Sequence, residues 1–124
     1  MVKHRVRGLI QTYTHMAFTE KAEFQWYPPM DVVDTGPAYV VRLEVPGMRK
    51  KDLRLGFRDN TLTIRGERRR EDEADNMSFL RMEMEYGEFH REIQFQQDIQ
   101  REAVQAHYQE GILKVVLPKD GQQA

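Results

Sequence analysis

Tyr39-Val40-Val41-Arg42-Leu43-Glu44-Val45, followed by Pro46-Gly47, decides the fold class. Its odd positions are apolar and Arg42 and Glu44 interrupt them, a period of two that puts one face in a core and the other in water. Pro-Gly then ends the strand in a turn. The pattern repeats downstream. Leu53, Leu55 and Phe57 alternate with Arg54, Gly56 and Arg58; after the turn pair Asp59-Asn60, Leu62 and Ile64 alternate with Thr61, Thr63 and Arg65. These two segments predict a hairpin. Phe89, Ile93 and Phe95 form a further set, then Val104, Ala106 and Tyr108. After Glu110-Gly111 come Leu113, Val115 and Leu117, with Val116 adding burial on the second face and Pro118 closing the strand. Seven or eight short strands at close spacing, with no strong helix in the body, predict an all-β, antiparallel immunoglobulin-like sandwich.

Between these strands residues 67–76 read Glu-Arg-Arg-Arg-Glu-Asp-Glu-Ala-Asp-Asn. The run has almost nothing to bury and predicts a solvated loop. Leu80, Met82 and Met84 then alternate with Arg81, Glu83 and Glu85, a short strand within the charged excursion, before Tyr86-Gly87 turns the chain. Upstream, Val6, Leu9, Ile10, Tyr13, Met16 and Ala17 recur at spacings near three and four, the pattern of a weak amphipathic helix. Pro28-Pro29 ends that region. The expected organisation is an N-terminal arm over 1–27, the sandwich over 28–119 and a short polar tail over 120–124.

The 124 residues suit one domain, large enough for a core without staples. There is no Cys, so disulfides, thiolate nucleophiles and Cys-based zinc sites are excluded. Nineteen basic and twenty acidic residues nearly cancel, which argues against the phosphate neutralisation that drives nucleic-acid binding. No apolar run approaches the ~20 residues of a membrane span. The basic start around Lys3, His4, Arg5 and Arg7 is not followed by a signal-peptide core, so a cytoplasmic site is expected. Catalytic chemistry finds no foothold. The lone Ser78 has no glycine elbow. His4, His15, His90 and His107 are scattered, with His90 and His107 expected on polar strand faces, and no glycine-rich phosphate loop occurs. No enzyme activity, metal or cofactor is expected.

The order of motifs resembles the alpha-crystallin domain of small heat-shock proteins over roughly residues 28–119. The resemblance rests on Met30-Asp31-Val32-Val33-Asp34, the strand ending in Pro46-Gly47-Met48, Lys51-Asp52-Leu53, Asn60-Thr61-Leu62-Thr63-Ile64-Arg65-Gly66, Tyr86-Gly87-Glu88-Phe89-His90-Arg91, Gln109-Glu110-Gly111-Ile112-Leu113 and Leu117-Pro118-Lys119. It implies an ATP-independent holdase that binds partly unfolded clients, and the excursion resembles the bacterial, plant and archaeal branch. There a strand within this loop, here near 78–84, pairs with a sheet edge of a second subunit. The resemblance therefore implies a homodimer interface at Leu80, Met82 and Met84, with Arg91 near the contact and paired to acidic groups.

Two further surfaces are expected. A groove lined by Leu53, Leu55, Phe57, Val104 and Ala106 corresponds to the family's tail-binding site. The arm offers Leu9, Ile10, Tyr13, Met16, Phe18, Phe24 and Trp26 to clients. The ending Lys119-Asp120-Gly121-Gln122-Gln123-Ala124 lacks the family's isoleucine–any–isoleucine motif. The expectation is thus a dimer, with small assemblies through the arm and a groove left open to clients or to the tail of a co-assembling small heat-shock protein. A specific co-chaperone or interaction module of the CS-domain type is the alternative.

Overall fold

A computed structural model describes residues 2–5, 10–11, 26–70 and 76–121, residues 2–5 and 10–11 by their backbone alone. Two β-sheets pack face to face. One holds β1 (Val2–Arg5), β8 (Gln105–Gln109), β9 (Ile112–Pro118), β4 (Ala38–Glu44) and β3 (Met30–Asp34), in that spatial order. The other holds β2 (Ile10–Gln11), β5 (Leu53–Arg58), β6 (Thr61–Arg68) and β7 (Gly87–Gln94), also in order. All pairings are antiparallel except β2 with β5. Short 3-10 turns at Lys50–Asp52 and Arg101–Ala103 bridge the sheets.

Alternation in the sequence becomes alternation in burial. Tyr39, Val41 and Leu43 stand opposite Leu117, Val115 and Leu113 across the β4–β9 ladder, and from the other sheet come Leu53, Leu55, Phe57, Leu62, Ile64 and Phe89. Each such side chain contributes roughly 1.5–3 kcal/mol on burial, so this interior dominates the stability. Hairpin turns fix the register. Asp59 and Asn60 both adopt positive φ, 54° and 59°, as a two-residue I′ loop requires. Gly111 lies at φ +81°, and a Cβ there would stand 3.0 Å from Pro46 Cβ. Its carbonyl accepts the Val45 N–H at 2.8 Å, tying the β8–β9 hairpin to the end of β4.

The expected strands recur with small shifts of boundary, save one. Leu80, Met82 and Met84 lie in an irregular segment that bends at Leu80 and Met84 and carries no ladder. Alternation sets which side chains share a face, but a strand needs hydrogen-bonding neighbours, and the described residues supply none there. The expected helix within residues 1–26 differs too. The two described segments, β1 and β2, are strands laid on sheet edges, where unpaired backbone groups outweigh a weak helical pattern. Trp26, assigned to the arm, belongs to the core: it is 6% exposed and stacks edge-on against Phe89 at 5.3 Å.

Candidate functional site

Residues 76–86 form a strap that leaves the sandwich after β6 and returns at β7. Its apolar side chains face solvent: Leu80 is 98% exposed, Met82 62% and Met84 63%, with Met77 and Phe79 also exposed. A contiguous display of this kind is unusual on a monomer and marks an interaction surface. Methionine suits such a surface, being unbranched and adaptable.

Arg68 fastens the base of the strap. Its Nε donates to the Glu85 carbonyl at 3.0 Å, Nη2 donates to the same oxygen, and Nη1 donates to the Pro46 carbonyl at 3.0 Å. The guanidinium also lies 4.0 Å from the centre of the Trp26 ring. Arg70 covers Tyr86 at 4.3 Å and Phe79 at 4.7 Å, cation–π contacts that hold the two limbs of the strap together. Sequence reasoning missed both arginines, because inside Arg68-Arg69-Arg70 nothing separates an anchoring guanidinium from a solvated one.

Strand β3 closes its sheet on the same side of the fold as β7, and its outer edge meets no other described strand. Val32 and Val33 on it are exposed. At its end Asp34 Oδ1 accepts from Lys119 Nζ at 2.8 Å and from the Gly36 N–H at 2.9 Å. These contacts, the lysine first, hold the Asp34 carboxyl below its ordinary pKa. Lys119 is buried despite its charge and also lies over the Tyr39 ring, 4.8 Å from its centre.

Arg91 is half-buried, as its apolar phase on β7 requires. Its Nη1 donates to the Pro28 carbonyl at 2.6 Å, and its guanidinium stacks 3.8 Å from the centre of the Tyr27 ring. Among the described residues no carboxylate pairs with it, and its buried Nε has no acceptor. Neighbouring His90, expected on an exposed face, keeps only 9% of its side chain in solvent. Burial holds its pKa below the ordinary value, against the opposing influence of Glu92 at 3.4 Å.

The expected groove divides in two. Leu53, Leu55 and Ala106 line a cleft between β5 and β8, with Leu113, Tyr108, Lys50 and His107, and the space left in it is about 10 Å³, room for roughly one water. All five residues are buried in the core, and Phe57 and Val104 do not line this cleft. Ile10 of the arm pairs with Leu55 through its backbone. Leu9, Tyr13, Met16, Phe18 and Phe24 lie outside the described residues. Among the described residues no group of His, Asp or Glu could hold a metal ion, and no helix is long and apolar enough to cross a membrane.

Comparison with known proteins gives a consistent result. Residues 31–124 match the Hsp20/alpha crystallin family. Small heat shock protein C2 of Rickettsia felis is 31% identical over 111 residues, which is 90% of this chain and 70% of that one. A 17.3 kDa class II heat shock protein of Solanum peruvianum is 35% identical over 92 residues, 73% of this chain and 59% of that protein. Among solved structures, heat shock protein 16.0 from Schizosaccharomyces pombe superposes with a TM-score of 0.74 at 29% identity, covering 80% of this chain and 92% of that one. A small heat-shock protein from Xylella fastidiosa gives 0.72 at 27%, with coverage of 81% and 92%.

Proposed function

This chain belongs to the Hsp20/alpha-crystallin family of small heat-shock proteins, and from that footing we propose that it is an ATP-independent holdase that captures partly unfolded proteins as a strand-exchanged dimer. The observation that carries the dimer is an apolar strap left in solvent, in a fold whose β3 edge meets no other described strand. In the proposed dimer, residues 78–84 of each subunit add to the free edge of β3 in the other. Leu80, Met82 and Met84 then share one face of the new strand, on which only one of the neighbouring Val32 and Val33 also lies. Exchange satisfies backbone donors and acceptors on both sides and removes an edge that would otherwise template aggregation. Arg91, with a buried donor to spare, sits near this end and is proposed to meet acidic groups across the contact.

Capture needs no nucleotide. Apolar client surface withdrawn from water contributes about 25 cal/mol per Å², while ordering and association offset much of that gain. Weak, adaptable contacts of many kinds therefore suit the task better than one pocket. The apolar residues of the arm, Leu9, Ile10, Tyr13, Met16, Phe18 and Phe24, and the cleft lined by Leu53, Leu55 and Ala106 are the proposed client surfaces. The protein is proposed to act without enzymatic activity, in the cytoplasm. Family membership favours this reading over the CS-domain alternative.

The test is light scattering from a heat-labile enzyme warmed with and without the protein, no nucleotide added. Suppression at near-stoichiometric amounts is expected. Undiminished scattering at a several-fold excess would sink the proposal.

A further inference from the structure

The outer face of the β5–β6–β7 sheet carries its charge in rows. Leu53, Leu55, Leu62, Ile64 and Phe89 turn inward, so Arg54, Arg65 and His90 lie on the outward phase of their strands. They stand directly opposite one another, Arg54 against Arg65 and Arg65 against His90. Two arginines so opposed repel and weaken the ladder they belong to. The surrounding chain adds to the effect: residues 49–70 hold nine basic and three acidic side chains in a protein of net charge −1. Beside the row, the 3-10 turn Lys50–Asp52 and strands β5, β6 and β7 bound a cleft of about 420 Å³. Lys51, Arg54, Arg65 and Arg69 line it, together with the carboxylates of Asp52, Glu67 and Glu88. Two of those carboxylates have partners already. Asp52 Oδ2 accepts the Arg49 N–H at 3.3 Å, and Glu67 Oε1 accepts from Arg69 Nε at 3.1 Å. Lys51 and Arg54 form no ion pair among the described residues.

We propose that this cleft is an anion site that takes a small polyphosphate, pyrophosphate being the simplest, between Lys51 and the arginine row. A phosphate group between Arg54 and Arg65 turns their repulsion into two charge-assisted contacts, and the planar guanidinium fork matches phosphate oxygens. Lys51 supplies a point charge for the second phosphate. Glu88 lies across the cleft on β7, so repulsion of like sign keeps the ligand compact and toward β5. The site shares no residue with the β5–β8 cleft or with the edge strand β3, and it stands apart from the holdase reading. An anion held by the folded sheet alone stabilises the fold by mass action.

Sodium pyrophosphate titrated into the full chain at neutral pH and fixed ionic strength is expected to raise the melting temperature along a saturable curve. Calorimetric titration is expected to give one site per subunit. Sulfate at the same ionic strength is expected to do far less. Arg54→Gln combined with Lys51→Gln is expected to weaken pyrophosphate binding at least about tenfold. The same pair of substitutions is expected to leave the melting temperature of the unliganded protein unchanged or higher, because the repulsion within the row is relieved. If the unliganded double variant melts lower, Arg54→Lys decides: it keeps the charge and loses the fork, and is expected to bind more weakly than the parent. Lys114→Gln removes a cation from the other sheet and is expected to bind as the parent does. Equal shifts from pyrophosphate and sulfate, or no shift from either, overturn the site. Unaltered binding in the Arg54 variants overturns it as well, since the anion then sits elsewhere.

Discussion

The two ends of this sandwich meet the same physical demand in opposite ways. At the β5–β8 end the free backbone of each sheet edge is paired by the chain's own first residues, and the cleft between them keeps room for about one water. At the β3 end no described strand covers the edge, and the apolar strap between β6 and β7 stands in solvent. Unpaired edges are a liability, and proteins cover them, charge them or use them. Here one end is covered from within and the other is left open. The proposed strand-exchanged dimer uses the open end alone, so the two ends can be tested separately.

The sharpest way to break the comparison is at the open end. Met82→Pro removes a backbone donor and fixes φ in the middle of the strap. Among the described residues nothing pairs with Met82, so the fold of the single subunit is expected to be unaffected and its melting temperature in dilute solution nearly unchanged. The dimer is expected to weaken at least about tenfold, read by analytical ultracentrifugation across a dilution series. An unchanged dimer would show that the strap is not the exchanged element. A lower melting temperature without dissociation would show that it packs at home.

Trp26 tests where the open end begins. It was legible as a large aromatic near a proline pair, and alternation alone could not assign it to arm or core. The structure buries it between Phe89 and the guanidinium of Arg68. Trp26→Ala is expected to cost about 3–5 kcal/mol, measured by urea unfolding with unchanged slope. The same substitution loosens Arg68, which also holds the strap at Glu85, so some loss of dimer should accompany the loss of stability. A change below about 1 kcal/mol would place Trp26 with the arm after all.

What could be read in advance follows from how local each signal is. β4, β5, β6 and β9 were plain because each carries its own alternation between turn residues such as Pro46-Gly47 and Asp59-Asn60. Gly111 was plain because positive φ and the close approach of Pro46 admit little else. The strap showed its faces but not its lack of a ladder, since pairing belongs to a partner strand and not to the residues themselves. β1 and β2 were hidden for the same reason. Val2-Lys3-His4-Arg5 has no strand signature of its own, and the edge of β8 makes it a strand. Arg91 was marked by its apolar phase, and its partner Pro28 was not, because a backbone carbonyl leaves no trace in composition.

The smallest expected effect sharpens the comparison through pH. His90 lies on β7, at the open end, and burial holds its pKa below its ordinary 6.5. The unfolded chain therefore binds this proton more readily than the folded one between the two values. Stability from this source is complete above about pH 6.5 and declines as pH falls through the folded-state pKa. Glu92 draws the pKa back up and Arg65 pushes it further down, with burial the larger influence. His90→Gln removes the titration while keeping a polar side chain of similar reach. Melting temperature followed from about pH 7.5 to 5 is expected to fall less steeply in this variant than in the parent. Because the histidine is two positions from Glu92 and beside Arg91, acidification should also weaken the dimer in the parent before it affects the β5–β8 end, which hydrogen exchange of β7 against β8 resolves. Parallel slopes in the two proteins would mean that His90 is proton-linked to neither folding nor the open end.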